Sequence, residues 1–247
     1  IVYFGTSALP DIHKKSQYFV ALDAETGKEV WRLQLGINEV RSAPAISSDN
    51  SIYFTVETRD PLNGTIQGDE LWHISGDGHL IWKYDINPSK LTSEVGLSIP
   101  TIGSDGTIYV GGDKLYAIDK DGALRWSFSG QWPEAIRNAP VIGKDGTIYF
   151  VYHNIPLTAI NPNDGSVKWA LHLGVAPGED DHCFSSPAIG ADGTIYVATQ
   201  PGILYAVSNS GQLLWTFDIA SAGFTGAFRS SPSIDSNGSI YFGLNIG

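Results

Sequence analysis

Short apolar segments with a central tyrosine recur along the whole chain, each about as long as one β-strand. Five near copies occupy residues 51–54, 107–110, 147–150, 194–197 and 239–242, and residues 1–4 form a sixth. Their tyrosines follow one another every 40–56 residues, which is the period of a four-stranded propeller blade. The pattern predicts an all-β repeat protein and excludes a helical solenoid.

Each full copy is the second strand of a predicted hairpin. Upstream, a short strand ends in a tight turn, as in IPTIGSDG, APVIGKDG, SPAIGADG, SPSIDSNG and the variant SAPAISSDN. Asp-Gly and Asn-Gly between apolar runs are strong hairpin signals because both turn residues tolerate positive φ. Downstream, a second hairpin ends in one tryptophan per repeat. We therefore predict four strands per repeat, named A to D in chain order, with the five tryptophans as structural residues: Trp31, Trp82, Trp126, Trp169 and Trp215.

The second hairpin also carries a family signature. Ala21, Asp23, Thr26-Gly27-Lys28 and Trp31 together read A-x-D-x-x-T-G-K-x-x-W, which resembles the PQQ-like (quinoprotein-type) repeat. The resemblance covers nearly the whole chain, although His73 replaces the alanine in the second copy. It implies an all-β fold, a β-propeller of four-stranded antiparallel blades. A blade signature describes packing and does not by itself define a functional site.

We expect one propeller domain with about six blades represented. The predicted blades are approximately 1–41, 42–97, 98–137, 138–184 and 185–229, followed by a partial blade at 230–247. The chain contains no Met and opens on a B-type strand, and its last segment supplies only strands A and B. These ends favour an excerpt of a seven- or eight-bladed ring over a six-bladed ring closed between the termini.

Composition narrows the classes of partner. A net charge of -11 disfavours nucleic acid and anionic membrane surfaces, which both need clustered Lys and Arg. No run of about 18 apolar residues is present to span a bilayer. Cys183 is the sole cysteine, so the chain has neither an internal disulfide nor a CxxC pair.

Loop length distinguishes the two faces of the predicted propeller. The A–B and C–D turns are tight and define the tight-turn face. The B–C and D–A connections define the long-loop face, where binding residues are expected. The longest of them cover residues 6–17, 57–69, 87–96, 174–183 and 220–227.

Three arginines, Arg41, Arg137 and Arg229, stand three positions before the strand A proline, where the other copies have Leu97 and Phe184. Strand A is innermost, so these guanidinium groups are expected at one channel mouth, where they suit a carboxylate or phosphate ligand. The alternative is that each arginine pairs with a local carboxylate or backbone carbonyl.

Two further groups of loop residues are candidates for a site. Trp132 and Phe184, with Phe224 and Phe228, have the character of anchors for a peptide or carbohydrate, although burial between blades explains them equally well. Glu179, Asp180 and Asp181 offer oxygen ligands for a divalent cation, but adjacent side chains rarely converge on one ion. A solvated acidic loop is the favoured interpretation there, and no metal site is predicted.

Three functions remain open. We expect a non-catalytic, extracytoplasmic module that binds a protein or peptide partner on its long-loop face and carries no cofactor. The resemblance also implies a PQQ-dependent dehydrogenase with Ca²⁺ as an alternative, but that family uses a pair of adjacent cysteines that this chain lacks, and no catalytic residue is assigned. The third possibility is an architectural domain of a larger secreted or cell-surface protein.

Overall fold

A computed structural model describes residues 1–6, 16–90, 98–130, 135–152, 156–174, 185–200, 202–228 and 230–245. Within these ranges every regular element is a β-strand. No helical segment in them could cross a membrane. The chain divides into two compact units, Ile1–Ala135 and Ile136–Gly247.

The first unit holds three antiparallel sheets, called blades 1 to 3. Blade 1 has three paired strands, blade 2 has five and blade 3 has four. Their strands are β1 (Val2–Gly5), β2 (Gln17–Leu22) and β3 (Glu29–Gly36); β4 (Glu39–Val40), β5 (Ala45–Ile46), β6 (Ile52–Arg59), β7 (Ile66–Ile74) and β8 (Leu80–Asp85); and β9 (Thr101–Ile102), β10 (Ile108–Gly111), β11 (Leu115–Ile118) and β12 (Leu124–Phe128).

The second unit holds blades 4 and 5, each a four-stranded antiparallel sheet, followed by two strand pairs that we call the terminal hairpins. The strands of blades 4 and 5 are β13 (Val141–Ile142), β14 (Ile148–Val151), β15 (Leu157–Ile160), β16 (Val167–Leu171), β17 (Ala188–Ile189), β18 (Ile195–Ala198), β19 (Ile203–Val207) and β20 (Leu213–Asp218). The terminal hairpins pair β21 (Ala227–Phe228) with β24 (Leu244–Asn245), and β22 (Ser233–Ile234) with β23 (Ile240–Tyr241).

The repeated apolar-Tyr-apolar segment is strand B of each blade, and in blades 3 and 4 it is buried on both faces. Ile108 and Val110 are fully buried and Tyr109 is 2% exposed. The preceding turn is organised by Asp105, whose carboxylate accepts hydrogen bonds from the backbone N–H (3.1 Å) and the hydroxyl (2.8 Å) of Thr107. This Asp side chain fixes the turn locally, so the hairpin register follows from the sequence.

Blade 2 departs from the prediction in two ways. The interpretation of 57–69 as a long irregular connection is wrong, because β6 and β7 pair from Ile52–Ile74 to Arg59–Ile66, with one register shift between Thr58 and Arg59. The true connection is the short segment 60–65, closed by the backbone N–H of Asp60 on the carbonyl of Thr65 at 2.8 Å. Because β6 is eight residues long, both β4 and β5 pair with it, which makes five strands instead of four.

Neighbouring blades are joined by one recurring contact, which we call the Trp–turn junction. The indole N–H of three D-strand tryptophans donates to a backbone carbonyl in the C–D turn of the following blade, two residues before a glycine of positive φ. The described junctions are Trp31 to Gly76 at 3.0 Å, Trp82 to Lys120 at 2.9 Å, and Trp169 to Asn209 at 2.9 Å.

Glycine is required where the indole lies against the turn. A Cβ placed on Gly78, Gly122 or Gly211 would approach the facing indole to 2.8, 3.0 or 2.7 Å respectively. Such distances leave no room for a methyl group, so the glycine serves both the turn conformation and the close approach of the tryptophan.

Gly122→Ala tests this junction against a matched control, Gly106→Ala. Both glycines have positive φ, +89° and +81°, but a Cβ at Gly106 meets nothing within 4 Å. Both variants should lose about 1–2 kcal/mol from the left-handed backbone. Gly122→Ala should lose a further ~1–3 kcal/mol from the collision with Trp82, measured by urea unfolding. Equal losses would show that the indole contact does not constrain this turn.

Candidate functional site

The entry to strand A is built in the same way in four places. A serine hydroxyl there accepts a hydrogen bond from a strand B backbone N–H thirteen residues later. The bonds join Ser42 to Thr55 (2.9 Å), Ser98 to Gly111 (2.9 Å), Ser185 to Ala198 (3.2 Å) and Ser230 to Gly243 (2.7 Å). Arg41 immediately precedes the first serine, and Phe184 and Arg229 precede the last two in sequence. The four serines are therefore structurally equivalent within their blades.

Only part of the predicted site falls on described residues. Arg41 lies in the first unit, and Arg137 lies half-buried in the second. Arg229, Trp132, Phe184 and the acidic candidates Glu179, Asp180 and Asp181 lie outside the described residues.

The two further loop aromatics have different environments. Phe228 is fully buried against Phe242, with ring centroids 4.6 Å apart, whereas Phe224 is 57% exposed. Phe228 therefore belongs to the core, and Phe224 alone of this pair is accessible to a partner.

Arg41 belongs to a cluster of four charges at the long-loop end of blade 2. Its Nη1 lies 3.5 Å from Glu39 Oε2, and its Nε lies 3.8 Å from Glu57 Oε2. Arg59 Nη2 contacts both acids, reaching Glu39 Oε1 at 3.6 Å and also Glu57 Oε1. Both glutamate side chains are 7% exposed, against 27% for Arg41 and 18% for Arg59. We call these four residues the blade 2 charge cluster.

Strand pairing holds the cluster together. Glu39 on β4 is directly opposite Glu57 on β6, and the backbone N–H of Arg41 donates to Thr55 at 2.9 Å. Two buried carboxylates facing each other would repel, and the two guanidinium groups offset that repulsion. An anionic ligand at Arg41 would have to compete with Glu39 and Glu57 for the same guanidinium.

Asp69 extends the polar region beside the cluster. It is 3% exposed, and its Oδ2 accepts a hydrogen bond from Asn87 Nδ2 at 3.0 Å. Its Oδ1 is buried without a hydrogen-bond partner among the described residues. Burial raises the pKa of Asp69 to about 6, with Glu57 adding to the rise and with Asn87 and Arg41 opposing it. Near neutral pH this carboxyl group therefore titrates within the folded protein.

Asp69→Asn should remove a pH dependence of stability. The folded pKa of about 6 exceeds the unfolded value of 3.8, so the folded state holds the proton more tightly. The wild-type free energy of unfolding should therefore fall, relative to the variant, as pH rises from 4 to 7 through the folded pKa, by about 2 kcal/mol. Urea unfolding across pH 4–7 measures this. A constant difference between the two proteins would contradict the buried, titrating carboxyl group.

Above the charge cluster, the β6–β7 hairpin presents apolar side chains to solvent. Leu62 in the connection is 91% exposed, and Ile66 at the start of β7 is 54% exposed. Arg59 joins the base of the hairpin to the segment just before β4, because its backbone N–H donates to Asn38 Oδ1 at 2.9 Å. Sequence reasoning missed this feature because it took 57–69 as irregular. The alternation in TVETR was the available signal.

A concavity lies on the tight-turn face of the first unit, between blades 2 and 3. It measures about 370 Å³ and is lined by turn residues that include Ser47, Asp49, Ser104 and Lys120. Hydrogen bonds from the Ser47 hydroxyl and the Ser51 backbone lower the pKa of Asp49 to about 2. The carboxylate is thus already engaged by its own turn.

The described residues form no candidate metal site. Among the described residues, no group of three or more His, Cys, Asp and Glu side chains could hold a metal ion.

Comparison with known proteins supports the repeat assignment. The family model described as outer membrane protein assembly factor BamB matches residues 12–93 and 73–245. The outer membrane protein assembly factor BamB of Yersinia pestis is 30% identical over 147 residues, which are 56% of this chain and 36% of that protein. The chain thus spans about a third of the length of this curated relative.

Solved structures show the same fold at low identity. BamB from Moraxella catarrhalis matches with a TM-score of 0.50 and 18% identity, over 90% of this chain and 74% of that one. Quinohemoprotein alcohol dehydrogenases match with TM-scores of 0.62 (Pseudomonas putida, 15% identity, 83% and 40% covered) and 0.57 (Comamonas testosteroni, 14%, 81% and 51%). The fold is therefore a β-propeller of four-stranded antiparallel blades, with the departures described above.

Proposed function

We propose that this chain, which belongs to the family of the outer membrane protein assembly factor BamB, is a non-catalytic propeller that binds a protein partner outside the cytoplasm. The partner would be a protein component of outer membrane protein assembly, because the curated relative is named for that process. The binding surface would be the long-loop face of blade 2.

One observation carries the proposal: the β6–β7 hairpin exposes Leu62 and Ile66 on a base that the charge cluster fixes. An exposed leucine is common, but Leu62 is 91% exposed on a hairpin whose base is held by ion pairs, so little ordering of that base is needed when a partner covers it. We infer that the partner offers an apolar pocket to Leu62. The surrounding charges would act mainly on specificity and on the association rate.

A photo-reactive amino acid at position 62 tests the surface directly. The chain would be incubated with solubilised bacterial outer membranes, illuminated, and the adduct identified by mass spectrometry. We expect adducts with an outer membrane protein assembly component. The matched control is position 81, since Ile81 is 52% exposed on β8 of the same blade but away from the hairpin.

Substitution gives the quantitative test with the same control. Leu62→Asp should weaken binding to the identified component by about tenfold or more, whereas Ile81→Asp should leave it within about twofold. Equal losses, or adducts at 81 but not at 62, would refute the assigned surface. Absence of any assembly component from the adducts would refute the function.

The alternative function, a PQQ-dependent dehydrogenase, has a direct test. Isothermal titration with PQQ, with and without Ca²⁺, and a dye-linked assay on alcohols and sugars should both be silent, because Cys183 cannot form the adjacent-cysteine pair of those enzymes. Saturable binding with turnover would reverse the assignment. Such binding should then be lost on substitution of Arg41, Arg137 and Arg229.

A further inference from the structure

The tip of the β6–β7 hairpin contains one of the two Asn-Gly pairs of the sequence. These pairs, Asn63-Gly64 and Asn237-Gly238, are each followed by a residue with a hydroxyl group. Both asparagines are exposed and both glycines have positive φ. The backbone N–H of each glycine donates to a carbonyl, at 2.8 Å for Gly64 and 3.1 Å for Gly238. The two turns differ in the hydrogen bonds that the asparagine side chain accepts.

At the hairpin tip, the side chain of Asn63 is held by the residue two positions later. Its Oδ1 accepts a hydrogen bond from the backbone N–H of Thr65 at 2.9 Å and another from the Thr65 hydroxyl at 2.7 Å. The ring that the first bond closes includes Asn63 Cγ and the backbone nitrogen of Gly64, so these two atoms are held close together. Two donors on Oδ1 also make Cγ more electrophilic.

The second Asn-Gly pair lacks this arrangement. There the backbone N–H of Ser239 donates to Asp235 Oδ1 at 2.8 Å, and the backbone N–H of Asn237 donates to the same oxygen at 2.9 Å. Within the described ranges, no hydrogen bond ends on the Asn237 side chain. Asn237 is therefore a matched control for the chemistry of Asn63, in nearly the same local sequence.

We propose that Asn63 is a site of spontaneous deamidation in the folded protein. The backbone nitrogen of Gly64 loses its proton to solvent base and forms a bond to Asn63 Cγ, and Oδ1 takes the negative charge. The Cγ–Nδ2 bond then breaks, and Nδ2 gains a proton and leaves as ammonia. Water opens the resulting succinimide ring at one of its two carbonyls, which gives aspartate or isoaspartate at position 63.

The Thr65 hydrogen bonds favour the charged intermediate of this reaction. Donors that already point at Oδ1 stabilise the negative charge that forms there, without rearrangement. Gly64 has no Cβ to hinder ring closure. Its N–H must first leave the carbonyl of Asp60, but Gly238 carries the same restraint, so the comparison between the two pairs is unaffected.

Deamidation changes the chemistry of the hairpin tip. Either product places a carboxylate next to Leu62, and isoaspartate also lengthens the backbone by one carbon atom. The proposal goes beyond the protein-binding function proposed above and does not depend on it.

The test compares the two asparagines within one sample. The chain is incubated in mildly alkaline buffer and digested, and deamidation of each peptide is followed by mass spectrometry, with an isoaspartyl methyltransferase assay to detect isoaspartate. In the folded protein, Asn63 should deamidate about tenfold faster than Asn237. In concentrated urea the two rates should become similar, because the local sequences are nearly the same.

Substitution isolates the contribution of the hydroxyl group. Thr65→Val keeps the shape of the side chain and the backbone N–H but removes one donor, so it should slow deamidation of Asn63 by about fivefold. Thr65→Ser should retain the wild-type rate. The matched control, Ser239→Val, should leave the rate at Asn237 unchanged. Far-UV circular dichroism checks the fold of each variant.

Three results would overturn the proposal: equal rates at the two asparagines in the folded protein, a difference that persists in urea, or a Thr65→Val variant that deamidates at the wild-type rate. A difference that persists in urea would assign the reactivity to local sequence instead of the folded turn.

Discussion

The Trp–turn junction is the interaction on which the rest of this structure depends. A single four-stranded sheet has two apolar faces and cannot exclude water from both, so each blade needs a neighbour. The indole supplies the largest apolar surface on the D strand, and its N–H satisfies a turn carbonyl that would otherwise lose water on burial. The glycine opposite it sets how closely the blades approach. Burial of Ile108 and Val110 follows from that spacing, because Trp82 and Tyr84 of blade 2 pack on the same cluster.

This junction also explains why the fold could be predicted from sequence while its detail could not. The tryptophan, the turn glycine and the apolar B strand recur because each is required by the same contact, so the repeat is visible without a structure. Blade 2 departs from the repeat at the end of β6 that takes no part in a Trp–turn junction. Beyond Val56, β6 carries Glu57 and Arg59, two charged residues that are typical of a loop. Arg59 nevertheless contacts the carboxylates of both Glu39 and Glu57, so these charges are paired. The pairing of Glu39 and Val40 on β4 with Glu57 and Val56 on β6 is a tertiary contact that local spacing does not reveal.

The sequence likewise predicts only part of the candidate site. Arg41 lies just before β5, the strand A of blade 2, beside Ser42 of the repeated pattern. Its partners could not be read, because Glu57 comes from another strand. His73 shows a similar limit: where other copies have alanine, it stacks on Tyr53 at 4.4 Å and meets Trp82 edge-on at 5.1 Å. Burial lowers its pKa, so the imidazole is held neutral and serves as a flat, weakly polar filler.

The charge cluster is a costly way to build a hairpin base, and that cost bears on function. Buried ion pairs seldom stabilise a fold as well as apolar side chains of the same size, because both partners must lose water. The four charges instead hold β4 against β6 through the facing Glu39 and Glu57, and β6 is the strand that continues into the hairpin carrying Leu62. A side chain whose position is fixed before contact loses little entropy on binding. The buried charges at the hairpin base thus cost free energy of folding but help to fix the position of Leu62 at the tip. A partner-binding surface requires such a fixed position.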